Sequence, residues 1–357
     1  MNSIKPDFNR FGCMMSIKKW YITGIFFLLF CLVAFWQFRN ILWASNINPD
    51  ASDTDLFIPT GSGYEEVLEL LKSKNILKHP GHFDMLAGFM KYKRDKVPPG
   101  KYVLRQGMGN LQIIRKLRSG DQDPVLVVIN NNRLLHDLAG NAARFLETDS
   151  LGFLEYLTKN ETLTEYGYTP ENFLCMFIPN SYEMFWTTGP EKFVSRMNKE
   201  NARFWNEDRK EKLKKHGLSP TEAYILASIV EKESNFEPER PDIAGVYLNR
   251  LKQGMKLQAD PTVVFATGLF DLRRVLYSHL ETDSPYNTYR YSGLPPGPIC
   301  MPSISSLEAV INAEDHNYLF FCAKPDNSGQ HAFAATLAEH NKNAAAFSRW
   351  LNENKIK

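Results

Sequence analysis

The chain has 357 residues, 43% hydrophobic, 13% aromatic and 23% charged, and its 42 Lys and Arg against 40 Asp and Glu leave a formal charge of +2. This balance excludes a disordered chain, which carries fewer apolar residues and less balanced charge, and the length allows about two domains. A mean hydropathy of −0.34 with a single long apolar run excludes a multi-span transporter. Lys5, Arg10, Lys18 and Lys19 against Asp7 give residues 1–20 a net +3, so the remainder carries −1. Nothing strongly basic is left to grip the phosphates of a nucleic acid.

Residues 1–19 read as a basic tail and residues 20–38, WYITGIFFLLFCLVAFWQF, as a transmembrane helix without a charge until Arg39. At ~1.5 Å per residue the run crosses a hydrocarbon core of ~30 Å. Basic residues before it and Asp50, Asp53 and Asp55 after it predict a cytoplasmic N-terminus in a single-pass inner-membrane protein, with the rest outside the cytoplasm. A cleaved signal peptide fits less well, because the run exceeds a usual apolar region of ~7–15 residues and no A-x-A site follows. Lipidation at Cys31 is disfavoured by the bulk of Phe30. Cys175, Cys300 and Cys322 fall on the outer side, an odd number without regular spacing, so no disulfide framework is implied and a Cys300–Cys322 pair stays open. There is no CxxC or HExxH string, so neither a metal nor an organic cofactor is expected.

Residues 39–53 read as a polar linker. Three strand–turn–helix units follow over residues 54–145. In the first, Asp55–Pro59 is strand-like, Thr60–Gly63 turns, and Tyr64–Lys74 is a helix with Val67, Leu68, Leu70 and Leu71 on one stripe. Lys101–Leu104 with Leu111–Leu117, and Val125–Ile129 with Leu134–Phe145, repeat the order. Gly61-x-Gly63 before a helix suggests a nucleotide-binding turn, but Glu66 at the third glycine position would repel a phosphate. The units resemble the LysM-like region that precedes certain cell-wall enzymes. Residues 146–218 read as a polar, helical connecting region with an apolar break at Phe173–Trp186.

The chemistry is expected in residues 219–357. Ser219-Pro220-Thr221-Glu222 combines a cap, proline at the first helical position and a capping box. The helix that follows, AYILASIVEKES, is apolar all round for two turns, so it is buried, and it ends near Asn235. Glu231 and Glu233 at its end lie ~200° apart around the axis and cannot share a site. A carboxyl group at a helix C-terminus meets the negative end of the dipole, and burial adds desolvation. Both favour the protonated form that a general acid needs at neutral pH. Further on, Ser305 and Glu308 suggest another capping box, Tyr318–Ala323 and His331–Ala334 a hairpin, and Thr336–Asn352 a closing helix.

Glu233-Ser234-Asn235-Phe236 has the E-S-x-F form found around the acid of lysozyme-like lytic transglycosylases. IVEKE, which ends on Glu233, and then NRL, LQADPTV, YNTY and GLPPGP appear in an order that resembles the endolytic murein transglycosylase family, MltG/YceG-like, from the apolar run to about residue 350. The resemblance implies an α+β chain: one transmembrane helix, a small LysM-like region, and a mainly helical lysozyme-like catalytic region with a short β-hairpin. It implies Glu233 as general acid and then base, in cleavage of the MurNAc-β-1,4-GlcNAc bond of nascent glycan with a 1,6-anhydro end. Murein glycan strands and peptidoglycan synthases are the implied partners. Ser234, Asn249, Gln258, Asp260, Tyr286, Asn287, Thr288, Tyr289 and Pro296 are the expected substrate contacts, since tyrosine faces and paired amide and hydroxyl groups suit sugars. Each has a structural alternative, such as core tyrosines, Asn249 capping a helix end, or Asp260-Pro261 opening a helix Thr262–Ala266. The chain departs from the family at Ile178-Pro179-Asn180-Ser181-Tyr182, where P-D-T-Y is usual, so a charge at Asn180 is not essential. A lysozyme-like hydrolase and a non-catalytic wall-binding division scaffold are the alternatives.

Overall fold

A computed structural model describes residues 9–51, 54–130, 132–272 and 274–354, with side chains from residue 20 onward. Part of the basic tail, residues 1–8, lies outside the described residues. The chain up to Pro124 with Phe185–Thr187 forms one compact unit, and Val125–Met184 with Thr188 onward forms a second.

The first unit opens with α1 (Asn9–Trp43). Its segment Trp20–Trp43 is 24 residues long with a mean hydropathy of 2.0; residues 20–39 are exposed, and Leu42 near its end packs against the core of the unit. It is long and apolar enough to cross a membrane, and it runs five residues past the expected end. The expected linker is therefore replaced by helix up to Trp43 and by chain pinned to the unit beyond it. Ser45 bridges Gly109 and Ile47 bridges Leu77. Buried Asn46 donates from Nδ2 to Asn110 Oδ1 at 2.6 Å and accepts the His79 N–H at 2.8 Å, while Asn110 Nδ2 reaches the Ile41 carbonyl at 2.8 Å. A Cβ on Gly109 would lie 2.8 Å from the Trp43 carbonyl, so this close approach requires glycine.

Strand β1 (Asp55–Ile58), α2 (Tyr64–Ser73), α3 (Pro80–Phe89), β2 (Gly100–Val103) and α4 (Asn110–Ser119) complete the unit. The strands pair antiparallel from Asp55 opposite Val103 to Ile58 opposite Gly100. Alternation puts Leu56, Ile58 and Tyr102 in a core with Ile47, Val67, Phe83 and Ile113. The order is strand–helix–helix–strand–helix, because α3, started by Pro80, buries Phe83, Leu86 and Ala87 where no helix was expected. The Gly63 N–H donates to Glu66 Oε2 at 3.2 Å, so the chain's own carboxylate sits where an anion would bind the start of α2.

The third expected strand–helix unit separates from the first two. Strand β3 (Val125–Ile129) pairs antiparallel with β4 (Asn180–Met184), from Val125 opposite Met184 to Ile129 opposite Asn180. Between them lie α5 (Leu135–Ala143), α6 (Ser150–Thr158), α7 (Asn160–Tyr166) and a 3-10 turn at Phe173–Met176. The connecting region thus contains a strand, and the expected apolar break supplies it and the buried Phe173–Ile178 run. Helices α8 (Pro190–Phe204) and α9 (Glu207–His216) lead to α10 (Pro220–Glu233).

Helix α10 carries the core of this unit. Ser219 caps it, with Ser219 N–H to Glu222 Oε2 at 2.8 Å, and every residue from Ala223 to Val230 is buried. Helix α11 (Arg240–Lys252) and α14 (Ile304–Ile311) pack on it, with α12 (Asp260–Thr267) and the one-turn α13 (Tyr277–Leu280) between them in sequence. The expected cap residues shift by one or two positions. Ala259 is the cap of α12, with Asp260 inside its first turn, and Ser303 rather than Ser305 caps α14. Ser305 instead accepts from Arg240 Nη1 at 2.8 Å, and Glu308 pairs with Arg209. The hairpin β5 (Phe320–Ala323) and β6 (His331–Ala334) and α15 (Leu337–Glu353), capped by Thr336, close the chain. Cys300 and Cys322 are free thiols.

Candidate active site

Glu233 is the last residue of α10 and opens onto a cavity of about 540 Å³. Its Oε1 accepts a hydrogen bond from the hydroxyl of Tyr247, fully buried on α11, at 2.7 Å. Burial pushes the Glu233 carboxyl up to about 7. The Asp260 charge adds to this, while the Tyr247 bond and the Arg250 charge oppose it. Arg250 is held by the carbonyls of Leu319 at 2.6 Å and Leu257 at 2.7 Å, which fixes that opposing charge.

Glu231 faces elsewhere. Its Oε2 accepts from Ser303 N at 3.1 Å, Ser303 Oγ at 2.5 Å and Ser306 Oγ at 2.7 Å, and Arg240 Nη1 lies 3.4 Å away. Burial alone would raise its pKa, but these donors and the guanidinium outweigh it and hold the carboxyl below the usual value. The two glutamates thus separate into a protonatable acid at the cavity and an ionised clamp joining α10 to α14.

Asp260 and Pro261 line the Glu233 cavity with Phe265, Phe270, Ile299 and Arg133. Phe265 lies 4.6 Å from Tyr286 and 6.1 Å from Phe270 between ring centroids, and the Arg133 guanidinium sits 4.1 Å from the centre of the Phe270 ring. The Tyr289 hydroxyl donates to Asp260 Oδ1 at 2.5 Å. The cavity therefore joins two carboxylates, an aromatic wall and cations, the chemistry of a polar polymer cleft with apolar faces.

The other expected contacts are placed as follows. Buried Ser234 donates to Glu239 Oε1 at 2.5 Å, and Glu239 also receives the His331 N–H at 2.9 Å, so Ser234 fixes the turn after α10. Asn249 spends its amide on the carbonyls of His316 at 2.7 Å and Tyr318 at 3.1 Å. Gln258 is exposed at φ 51°. Asn287 is fully buried, its amide on Leu280 O at 2.9 Å and Thr282 O at 2.8 Å, and Thr288 is buried against the Thr262 hydroxyl at 2.8 Å. Both side chains spend polar atoms on bonds that hold the loop and its neighbour α12 together. Pro296 is exposed, while Gly297 beside it is buried so tightly that a Cβ would lie 1.9 Å from the Glu171 carbonyl. Asn180 is exposed and spends its side chain on Ser181 N at 2.8 Å.

Sequence reasoning missed Tyr247, Arg133, Phe265 and Phe270. Tyr247 precedes the NRL string by two residues, and Phe265 follows LQADPTV by two residues. Arg133 lies 100 residues before Glu233 and carried no local signal.

The site thus combines a buried carboxyl at a helix end with an aromatic and cationic cleft. A profile of the YceG-like family matches residues 56–346, and the chain belongs to that family. It is 32% identical over 328 residues to the endolytic murein transglycosylase of Bacillus subtilis (strain 168), covering 86% of this chain and 88% of that one. The endolytic murein transglycosylase of Streptococcus pneumoniae (strain D39) is 27% identical over 81% of this chain and 57% of its own. The crystal structure of a YceG-like protein from Listeria monocytogenes superposes with a TM-score of 0.52 at 29% identity, covering 81% of this chain and 98% of that one.

Proposed function

We propose that this chain is a membrane-anchored peptidoglycan lytic transglycosylase in which Glu233 is the general acid and then the base. The single observation that carries this reading is the Glu233 carboxyl, pushed up to about 7 by burial and open to the cavity. Near neutral pH a large fraction of it is protonated, so it can donate to the glycosidic oxygen between MurNAc and GlcNAc as that bond breaks. The positive charge that develops at C1 is met by the substrate's own N-acetyl group. The glutamate, now ionised, takes the proton of the muramic C6 hydroxyl, and O6 bonds to C1 to close a 1,6-anhydro ring. One proton is given and one is recovered, so a second catalytic carboxyl is unnecessary, unlike in ordinary glycosidases. Asp260, tied to Tyr289, keeps a negative charge near Glu233 and thereby supports its protonated form.

Tyr247 holds Glu233 in position, and Phe265, Phe270 and Tyr286 offer ring faces to sugars. Ser234, Asn249, Asn287 and Thr288 shape the cleft from behind, while Gln258, Asp260, Tyr289 and Pro296 remain the surface contacts of this reading. The β-α-α-β order of the first unit supports a LysM-like glycan-binding role. Trp20–Trp43 would anchor the enzyme in the cell membrane with its N-terminus in the cytoplasm, near nascent glycan and the synthases that make it. The similarity to endolytic murein transglycosylases supports murein as substrate. Incubating purified murein with the full chain tests the proposal. Soluble fragments one water lighter than hydrolysis products are expected, and Glu233→Gln should lower their release about 10²–10⁴-fold. Products without that mass loss would assign hydrolysis instead.

A further inference from the structure

A second cavity of about 690 Å³ shares Arg133 and Lys232 with the Glu233 cavity, so the two lie side by side on the second unit. Arg144 and His136 line this second cavity and not the first. Asp137 is the one acid in its wall, and that carboxylate is already committed. Its Oδ2 accepts the N–H of Arg133 at 3.0 Å and of Leu134 at 2.9 Å, and its Oδ1 meets His136 Nε2 at 2.9 Å. Among the described residues, Arg133, Lys232 and Arg144 form no ion pair; Arg133 rests on the Phe270 ring. The shelf thus sets three cations against the single carboxylate of Asp137, beside a glutamate proposed to act on glycan. Such an excess of positive charge attracts anions.

Resting on the transglycosylase reading, we infer that this shelf binds the carboxylates of the acidic stem peptide on a muramic residue next to the cleaved bond, and so makes stem-bearing glycan the preferred substrate. The glycan backbone itself offers one lactyl carboxylate per disaccharide, and only when the stem is gone. The stem adds several carboxylates that project away from the sugar chain, which matches a cationic surface that begins at Arg133 and Lys232 in the wall of the Glu233 cavity and extends beyond it to Arg144. Arg144 is the discriminating residue, because it lies on the shelf and does not line the Glu233 cavity.

The test uses the full chain in detergent micelles with two soluble substrates, stem-bearing glycan strands and the same strands denuded by an amidase. The wild-type chain should cut stem-bearing strands with the lower KM, and the preference should shrink with added salt as screening grows. Arg144→Gln should raise KM for stem-bearing strands about 3–5-fold and leave denuded strands unaffected, the range expected of one solvent-exposed charge pair, while Arg144→Lys should retain most of the preference. Equal KM values for the two substrates in the wild-type chain, or an Arg144→Gln effect of the same size on both, would overturn the inference and leave the transglycosylase reading standing. Failure of the wild-type chain to cut either substrate would overturn both.

Discussion

Glu233 and Glu231 stand two positions apart on one helix, and their surroundings drive them in opposite directions. Glu233 has a folded pKa of about 7, above its ordinary 4.5. Its contribution to stability is therefore fully present below about pH 4.5 and is lost as pH rises through 7, because ionising it inside the fold costs more than in the unfolded chain. Glu233→Gln removes that cost. The variant should match the wild type near pH 4 and exceed it on the order of 3 kcal/mol at pH 8, as read by urea unfolding at both values; equal stability at both would refute the shift. The same electrostatics predict the pH–rate profile. Activity falls on the alkaline side as Glu233 ionises. Asp260→Asn removes the charge that raises the Glu233 pKa and should move that limb to lower pH, and Tyr247→Phe removes the bond that lowers it and should move the limb to higher pH.

At the scale of elements, α10 was legible in full: cap, proline, buried run and an end within two residues of Asn235. Its signals are local and agree with one another. The hairpin β5–β6 and the closing helix α15 were equally local. Strand β4 was not legible, because its exposed Asn180, Ser181 and Glu183 leave two inward residues, Tyr182 and Met184, and its partner β3 lies about 50 residues earlier. Likewise Asn287 and Thr288 looked like sugar ligands by residue type, whereas tertiary closure of the loop buries them. The clamp between α10 and α14 predicts a structural phenotype for Glu231. Glu231→Gln keeps the shape but weakens bonds from Ser303, Ser306 and Arg240, and should cost about 2 kcal/mol. Activity per folded molecule should stay within about tenfold, checked by initial rates scaled to the folded fraction; an inactive but fully folded variant would move the acid to Glu231.

Across the whole molecule, the apolar helix passes without a flexible tether into the first unit, since Asn46, Asn110 and Gly109 lock its end to α4 and to the residue before α3. Single-residue bridges leave no periodic trace, which is why residues 39–53 read as a linker. Asn110→Ala removes one of the two acceptors of the Asn46 amide and the side-chain donor to the Ile41 carbonyl, and should destabilise the first unit by about 1–3 kcal/mol, seen as faster proteolysis within residues 54–124 at unchanged protection of α10. The second unit gathers the acid, the aromatic wall and the cationic shelf from α5, α10, α11 and α12, so the site is a property of the fold more than of one motif. The central claim, that Glu233 drives non-hydrolytic cleavage of murein glycan, is tested most directly by mass analysis of products from the wild-type and Glu233→Gln chains on purified murein. Anhydro-ended fragments from the wild type and almost none from the variant are predicted; water-added ends, or undiminished release by Glu233→Gln, would contradict the account.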